Sequence, residues 1–79
     1  MRKINEIIRE IQKKVIAKLN NSEQYVIISL YDIVVKYNVG VSSAYVIFKI
    51  LKQWGEEVGL NVEYSNAKLI FSKPETSQS

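Results

Sequence analysis

The sequence predicts one small α+β domain of three helices, a short strand and a C-terminal β-hairpin. Three observations carry that expectation. Apolar residues recur with helical spacing over 2–19, 30–37 and 43–58, and residues 60–72 alternate with period two. Between these runs, Asn38-Val39-Gly40 and Gly59 stand where the periodicity changes.

The first helix is expected over 2–19, where Ile4, Ile7, Ile8, Ile11, Val15 and Leu19 recur with no interrupting Gly or Pro and Asn20-Asn21 closes the run. The subset Ile4, Ile8, Ile11 and Val15 steps by four, three and four residues, which suits a core face and equally the seam of a homodimer. Tyr25-Val26-Ile27-Ile28 is β-prone and too short for a helix, so a strand is expected over 25–28. Ser29 is placed to cap a helix over 30–37, with Asp32 at the capping-box position. That helix would bury Leu30, Ile33, Val34 and Tyr37, and Asn38 and Gly40 are the residues most tolerant of a left-handed turn after it.

Ser42 or Ser43 is expected to cap the third helix, 43–58, which Gly59 stops. At 100° per residue, Ala44, Ile47, Phe48, Leu51, Trp54, Gly55 and Val58 share its inner face. Tyr45, Lys49, Lys52, Gln53 and Glu56 lie opposite, with Val46 and Ile50 at the border. In the hairpin, 60–72, a two-residue loop at Ser65-Asn66 pairs Tyr64 with Ala67, Val62 with Leu69 and Leu60 with Phe71 on one face. Glu63 then meets Lys68 on the other, and a four-residue loop keeps the same faces. The composition of 74–79 is that of a disordered tail, leaving 1–73 as the single domain.

At 79 residues one core is marginal by itself, which favours oligomerisation. The chain has neither Cys nor His, which excludes disulfides, thiolate nucleophiles, Cys/His zinc sites and imidazole acid–base chemistry. The carboxylates of Glu6, Glu10, Asp32, Glu56, Glu57, Glu63 and Glu75 form no recognisable pair, so no enzyme activity, cofactor, metal or small-molecule ligand is expected. Glu6, Arg9 and Glu10 interrupt any signal-peptide core and no apolar run approaches the roughly 20 residues of a membrane span, so a cytoplasmic protein is expected, in a host cytoplasm if viral.

The net charge is +3, unevenly placed: residues 1–20 hold six Lys/Arg against two Glu, and residues 21–79 hold five against six acidic residues. The basic excess therefore lies in the first helix and away from the third, which limits the electrostatic footprint there. Arg9, Lys13 and Lys14 on the first helix read as solubilising charge or as a second phosphate contact. A basic amphipathic helix also suits an anionic membrane surface, but this one needs its apolar face for the core, so no membrane partner is expected.

A short helix, the turn Val39-Gly40-Val41-Ser42, a longer helix stopped by Gly59 and an in-register hairpin resemble the winged helix-turn-helix superfamily over about residues 22–73. The Ile/Lys/Tyr-rich, His-free composition resembles that of small regulators from archaea and their viruses or plasmids. The resemblance implies a homodimeric transcriptional regulator that binds double-stranded DNA sequence-specifically, with its third helix in the major groove and its hairpin wing on the backbone or minor groove. By position, Ser42, Ser43, Tyr45, Val46, Lys49 and Gln53 would then face bases or flanking phosphates, Lys52 would reach phosphate, and Ser65, Asn66 and Lys68 would form the wing tip. The chain departs from the pattern in lacking an Arg on the third helix, the residue that most often reads guanine, which leaves specificity to Gln53, Tyr45, thymine-methyl contacts or DNA shape. The competing reading is a protein–protein adaptor of the same shape, docking through Val46, Ile50 and Ile70.

Overall fold

The computed structural model describes residues 3–74 and runs α1 (Ile4–Asn20), β1 (Tyr25–Ser29), α2 (Leu30–Tyr37), α3 (Val41–Glu57), β2 (Asn61–Ser65) and β3 (Lys68–Ser72). The strands form one antiparallel sheet in the order β1-β3-β2, so the last strand is the middle one. Arg2 and, Pro74 apart, the expected tail 74–79 lie outside the described residues.

The apolar stripe of α1 faces inward: Ile7, Ile8, Ile11, Val15 and Leu19 are buried and Ile4 is half-buried against the same core. This overturns the expected dimer seam at Ile4, Ile8, Ile11 and Val15, because one chain already covers those side chains; Val15 is 0% exposed. The helix closes one residue past Asn20-Asn21, at Ser22, whose φ of 73° is left-handed. Glu23 N–H donates to the Lys18 carbonyl (3.2 Å) and Ser22 N–H to that of Leu19 (3.3 Å), the bond pair of a Schellman closure.

β1 passes into α2 without a loop. The Ser29 hydroxyl accepts from the N–H groups of Tyr31 (3.1 Å) and Asp32 (3.4 Å), satisfying two of the donors a helix start leaves open. Leu30 N–H donates instead to the Ala67 carbonyl (2.9 Å), tying the start of α2 to the hairpin turn. At the far end the Tyr37 hydroxyl donates to the Glu10 carboxylate (3.0 Å), joining α2 to α1.

The connection to α3 is shorter than expected. Asn38 takes the left-handed conformation (φ 55°, ψ 50°), but Gly40 does not: its φ is −71° and it occupies the N-cap of α3. Ser42 and Ser43 consequently lie inside the first turn and cap nothing, since Ala44 N–H already bonds the Gly40 carbonyl (3.0 Å). The axes of α2 and α3 differ by 120°. At its other end α3 closes through Gly59 (φ 89°): Leu60 N–H donates to the Gly55 carbonyl (2.8 Å) and Gly59 N–H to that of Glu56 (3.1 Å). Val58, expected on the inner face, is the C-cap residue and is exposed, because the helical rotation stops before it.

The hairpin register is two residues from the expected one. Asn66 and Ala67, with φ of 52° and 59°, are the turn, as a type I′ loop requires of both central residues. Val62 therefore pairs with Phe71, Tyr64 with Leu69, Glu63 with Ile70 and Ser65 with Lys68. The faces are as expected because the displacement is even, but the Glu63–Lys68 pair does not form. Two independent contacts set this register: β3 must also pair with β1, from Tyr25 opposite Ser72 to Ser29 opposite Lys68, and Ala67 must present its carbonyl to Leu30.

The core lies between the helices and the inner face of the sheet, where Phe71 (0% exposed) sits between Val26 and Val62 in the strand order. The backbone of α3 descends onto this layer at Gly55: a Cβ built there would lie 2.5 Å from Val62 Cγ2 and 3.1 Å from the Phe71 ring. Gly55→Ala is therefore an overpacking substitution expected to cost about 1–3 kcal/mol, read as a lower urea midpoint with an unchanged denaturant slope. Gly40 meets nothing within 4 Å of its missing Cβ and has no left-handed φ. Gly40→Ser supplies the cap acceptor that α3 lacks and removes glycine entropy from the unfolded chain, so it should stabilise by about 0.5–1 kcal/mol and raise the melting temperature.

Candidate nucleic-acid interface

The outward face of α3 carries Ser42, Tyr45, Val46, Lys49 and Gln53, all exposed, while Ser43 is half-buried. These side chains point outward because the opposite side of the helix, through Ala44, Ile47, Phe48, Leu51 and Gly55, is buried. Tyr45, Lys49 and Lys52 stand on the flank next to the hairpin, where with Tyr64 they rim a shallow groove of about 180 Å³ floored by Phe48 and Leu69.

Tyr64 is the residue that sequence reasoning left out of the site. Its inner-face position was legible from the alternation, but β2 runs past the edge of the core at this point, so the ring is half exposed on the flank of α3. It packs edge-on against Phe48, with ring centroids 5.9 Å apart and planes at 83°. Partial desolvation and, after it, the neighbouring Tyr45 hydroxyl push its phenol above the ordinary tyrosine range. The two tyrosines thus line one groove shared between helix and hairpin.

The lysines differ from each other. Lys52 Nζ is held 2.8 Å from Glu56 Oε2 one turn on, a solvent-exposed pair of the kind worth about 0–1 kcal/mol. Gln53 Nε2 donates weakly to Glu57 Oε2 at 3.4 Å. Among the described residues Lys49 makes no ion pair, so it is the ready cation of this face.

Ser65, Asn66 and Lys68 come together at the hairpin tip, all exposed, with Ser65 directly opposite Lys68. Ser65 and Lys68 share the outer face of the sheet with Ile27 and Ile70, whereas Tyr64 is on the inner face with Leu69. The expected site is therefore two clusters, one along the α3–hairpin groove and one at the tip. Val46 and Ile50, 49% and 39% exposed, lie on the other flank of α3 from the groove.

Among the described residues no three His, Cys, Asp or Glu side chains gather as a metal site requires. No single described helix is long and apolar enough to cross a membrane. No protein-family model, curated protein or solved structure matches the chain significantly. The described residues form a three-helix, three-stranded α+β domain in which two helices joined by a short turn precede a hairpin.

Tyr45→Phe removes the hydroxyl that helps raise Tyr64 and should move the Tyr64 pKa down toward the ordinary tyrosine value. The measurement is an NMR pH titration of the five tyrosine rings. A Tyr64 titration unchanged by the substitution would mean that the two hydroxyls are not paired in solution.

Proposed function

We propose that this chain is a winged helix-turn-helix protein that binds double-stranded DNA sequence-specifically as a small transcriptional regulator. The observation that carries this reading is the groove where Tyr45, Lys49 and Lys52 of α3 meet Tyr64 of the hairpin, on a helix crossing its predecessor at 120°. A helix presented in this way fits a major groove, and the hairpin tip with Ser65, Asn66 and Lys68 reaches the adjoining backbone or minor groove. Lys49 contacts phosphate directly. Lys52 exchanges Glu56 for phosphate as the helix approaches, and the tyrosine hydroxyls donate to phosphate or base edges.

Acting as a homodimer, two copies would set their third helices roughly 34 Å apart on a palindrome-like site. Such a dimer uses surfaces other than the inward stripe of α1, which its own core occupies. The adaptor reading is supported by a different observation, the exposed pair Val46 and Ile50 on the far flank of α3, and by the presence of Glu56 and Glu57 on the same helix.

Fluorescence anisotropy on a duplex selected from random sequence tests the assignment. Lys49→Ala should weaken binding and reduce the slope of log affinity against log salt by about 0.9. Glu56→Gln frees Lys52 and should tighten binding by up to about fivefold at low salt, the equivalent of about 1 kcal/mol. If the wild-type chain binds DNA no better than the Lys49→Ala/Lys52→Ala variant at low salt, the DNA-reading face is wrong, and flat affinity across sequences with a stoichiometric protein partner establishes the adaptor.

A further inference from the structure

Away from the α3–hairpin groove, α1, β1 and α2 enclose a crevice of about 70 Å³ that shares no residue with that groove, and its Ser29 is the strand partner of Lys68 at the hairpin tip. Its floor is apolar, formed by Ile11, Ile28 and Ile33, and its rim carries Lys14 and Lys18 from α1 and Lys36 from α2. Three cations converge there with one carboxylate, Asp32. Among the described residues none of the three lysines lies within ion-pair distance of a carboxylate.

The arrangement is electrostatically unfavourable as it stands. Lys14 and Lys36 line the same crevice, and the neighbouring Lys36 ammonium, partial burial and the charge of Lys18 hold the Lys14 pKa below the ordinary lysine range, with Asp32 opposing. Lys36 Nζ also lies 5.6 Å from the centroid of the Tyr37 ring, but the three cations of the crevice face a single carboxylate, which leaves local positive charge in excess. Ser29 adds a donor to the same crevice: its oxygen already accepts two backbone N–H groups, which leaves its own proton to give.

We propose that this crevice is an anion site that takes a phosphate group between Lys14 and Lys36, with Lys18 at the rim and the Ser29 hydroxyl donating from below. The apolar floor lowers the local dielectric and makes each ammonium–phosphate contact stronger than on an open helix face. The phosphate comes either from a free phosphate ester or from the backbone of a bound nucleic acid, and the chemistry of recognition is the same. The site stands or falls independently of the DNA-reading face, because inorganic phosphate probes it alone.

The test is an NMR titration of the full chain with inorganic phosphate at constant ionic strength. Saturable amide shifts are expected around Lys14, Lys18, Ser29 and Lys36, with affinity falling about tenfold or more in Lys14→Gln/Lys36→Gln. That variant should melt no lower than wild type in chloride buffer, since it removes a repulsion, and should lose the melting-temperature gain that phosphate gives the wild type. Absence of a saturable response, or the same response in the variant, overturns the proposal. In a second arm, duplex DNA is added to the phosphate-saturated chain: displacement of phosphate from these residues identifies the backbone as its source, and retention identifies a free ester.

Discussion

The contact on which the rest of the architecture depends is the approach of α3 to the sheet at Gly55. With no Cβ in the way, the helix backbone rests directly on Val62 and Phe71, and the same residue's carbonyl accepts Leu60 N–H to close the helix. Gly55 therefore sets the helix–sheet spacing, and Gly59, at φ 89°, turns the chain toward β2. Once Val62 is seated there, Tyr64 follows on the same face two residues later and must fall against Phe48, two turns back along α3. The aromatic pair of the candidate interface is thus a geometric consequence of core packing.

A second constraint acts on the hairpin from the opposite edge. β3 is the middle strand, so its register is fixed twice, by β2 on one side and β1 on the other. The hydrogen bond from Leu30 to Ala67 adds a third tie and explains why an alanine is held at φ 59°, where a non-glycine residue costs about 1–2 kcal/mol. Because Leu30 begins α2, this bond couples the entry of the helix–turn–helix to the hairpin turn. Helix orientation and hairpin position are not independently adjustable.

Much of this was legible in the sequence because periodicity reports burial directly. The helical stripes of α1 and α3 and the period-two hairpin follow from which residues must leave water, and the faces of β2 and β3 were readable for the same reason. The displaced elements are those set by long-range contacts. Ser42 and Ser43 look like caps, but where α3 starts depends on how Val39 and Ala44 pack, and glycine at the N-cap sends no local signal. Ser65-Asn66 is a reasonable turn on composition, and Asn66-Ala67 is selected only because β1 claims Lys68 and Leu30 claims Ala67. Tyr64 was missed because alternation gives the face of a residue and not where along that face the core ends. The homodimer seam failed as an expectation for a related reason: a heptad-like stripe is the same pattern whether its partner is a second chain or the chain's own sheet and helices.

The uneven charge along the sequence acquires a spatial meaning from the fold. Of the basic residues in the first 20, Lys14 and Lys18 line a crevice with Lys36 and not the α3–hairpin groove, while α3 offers Lys49 and a lysine already engaged by Glu56. These two positive regions differ in kind. Charges on the exposed face of a helix sit in high dielectric and are screened by salt over about 8–10 Å, so they attract a polyanion without fixing it. In the proposed crevice the isoleucines exclude water from one side, so an ammonium–anion contact there would be stronger than one on an open helix face. On the proposed reading, a face with so little net charge takes its selectivity from the side chains that Tyr45 and Tyr64 present, and the position of Tyr64 leads back to the glycine on which the helix rests.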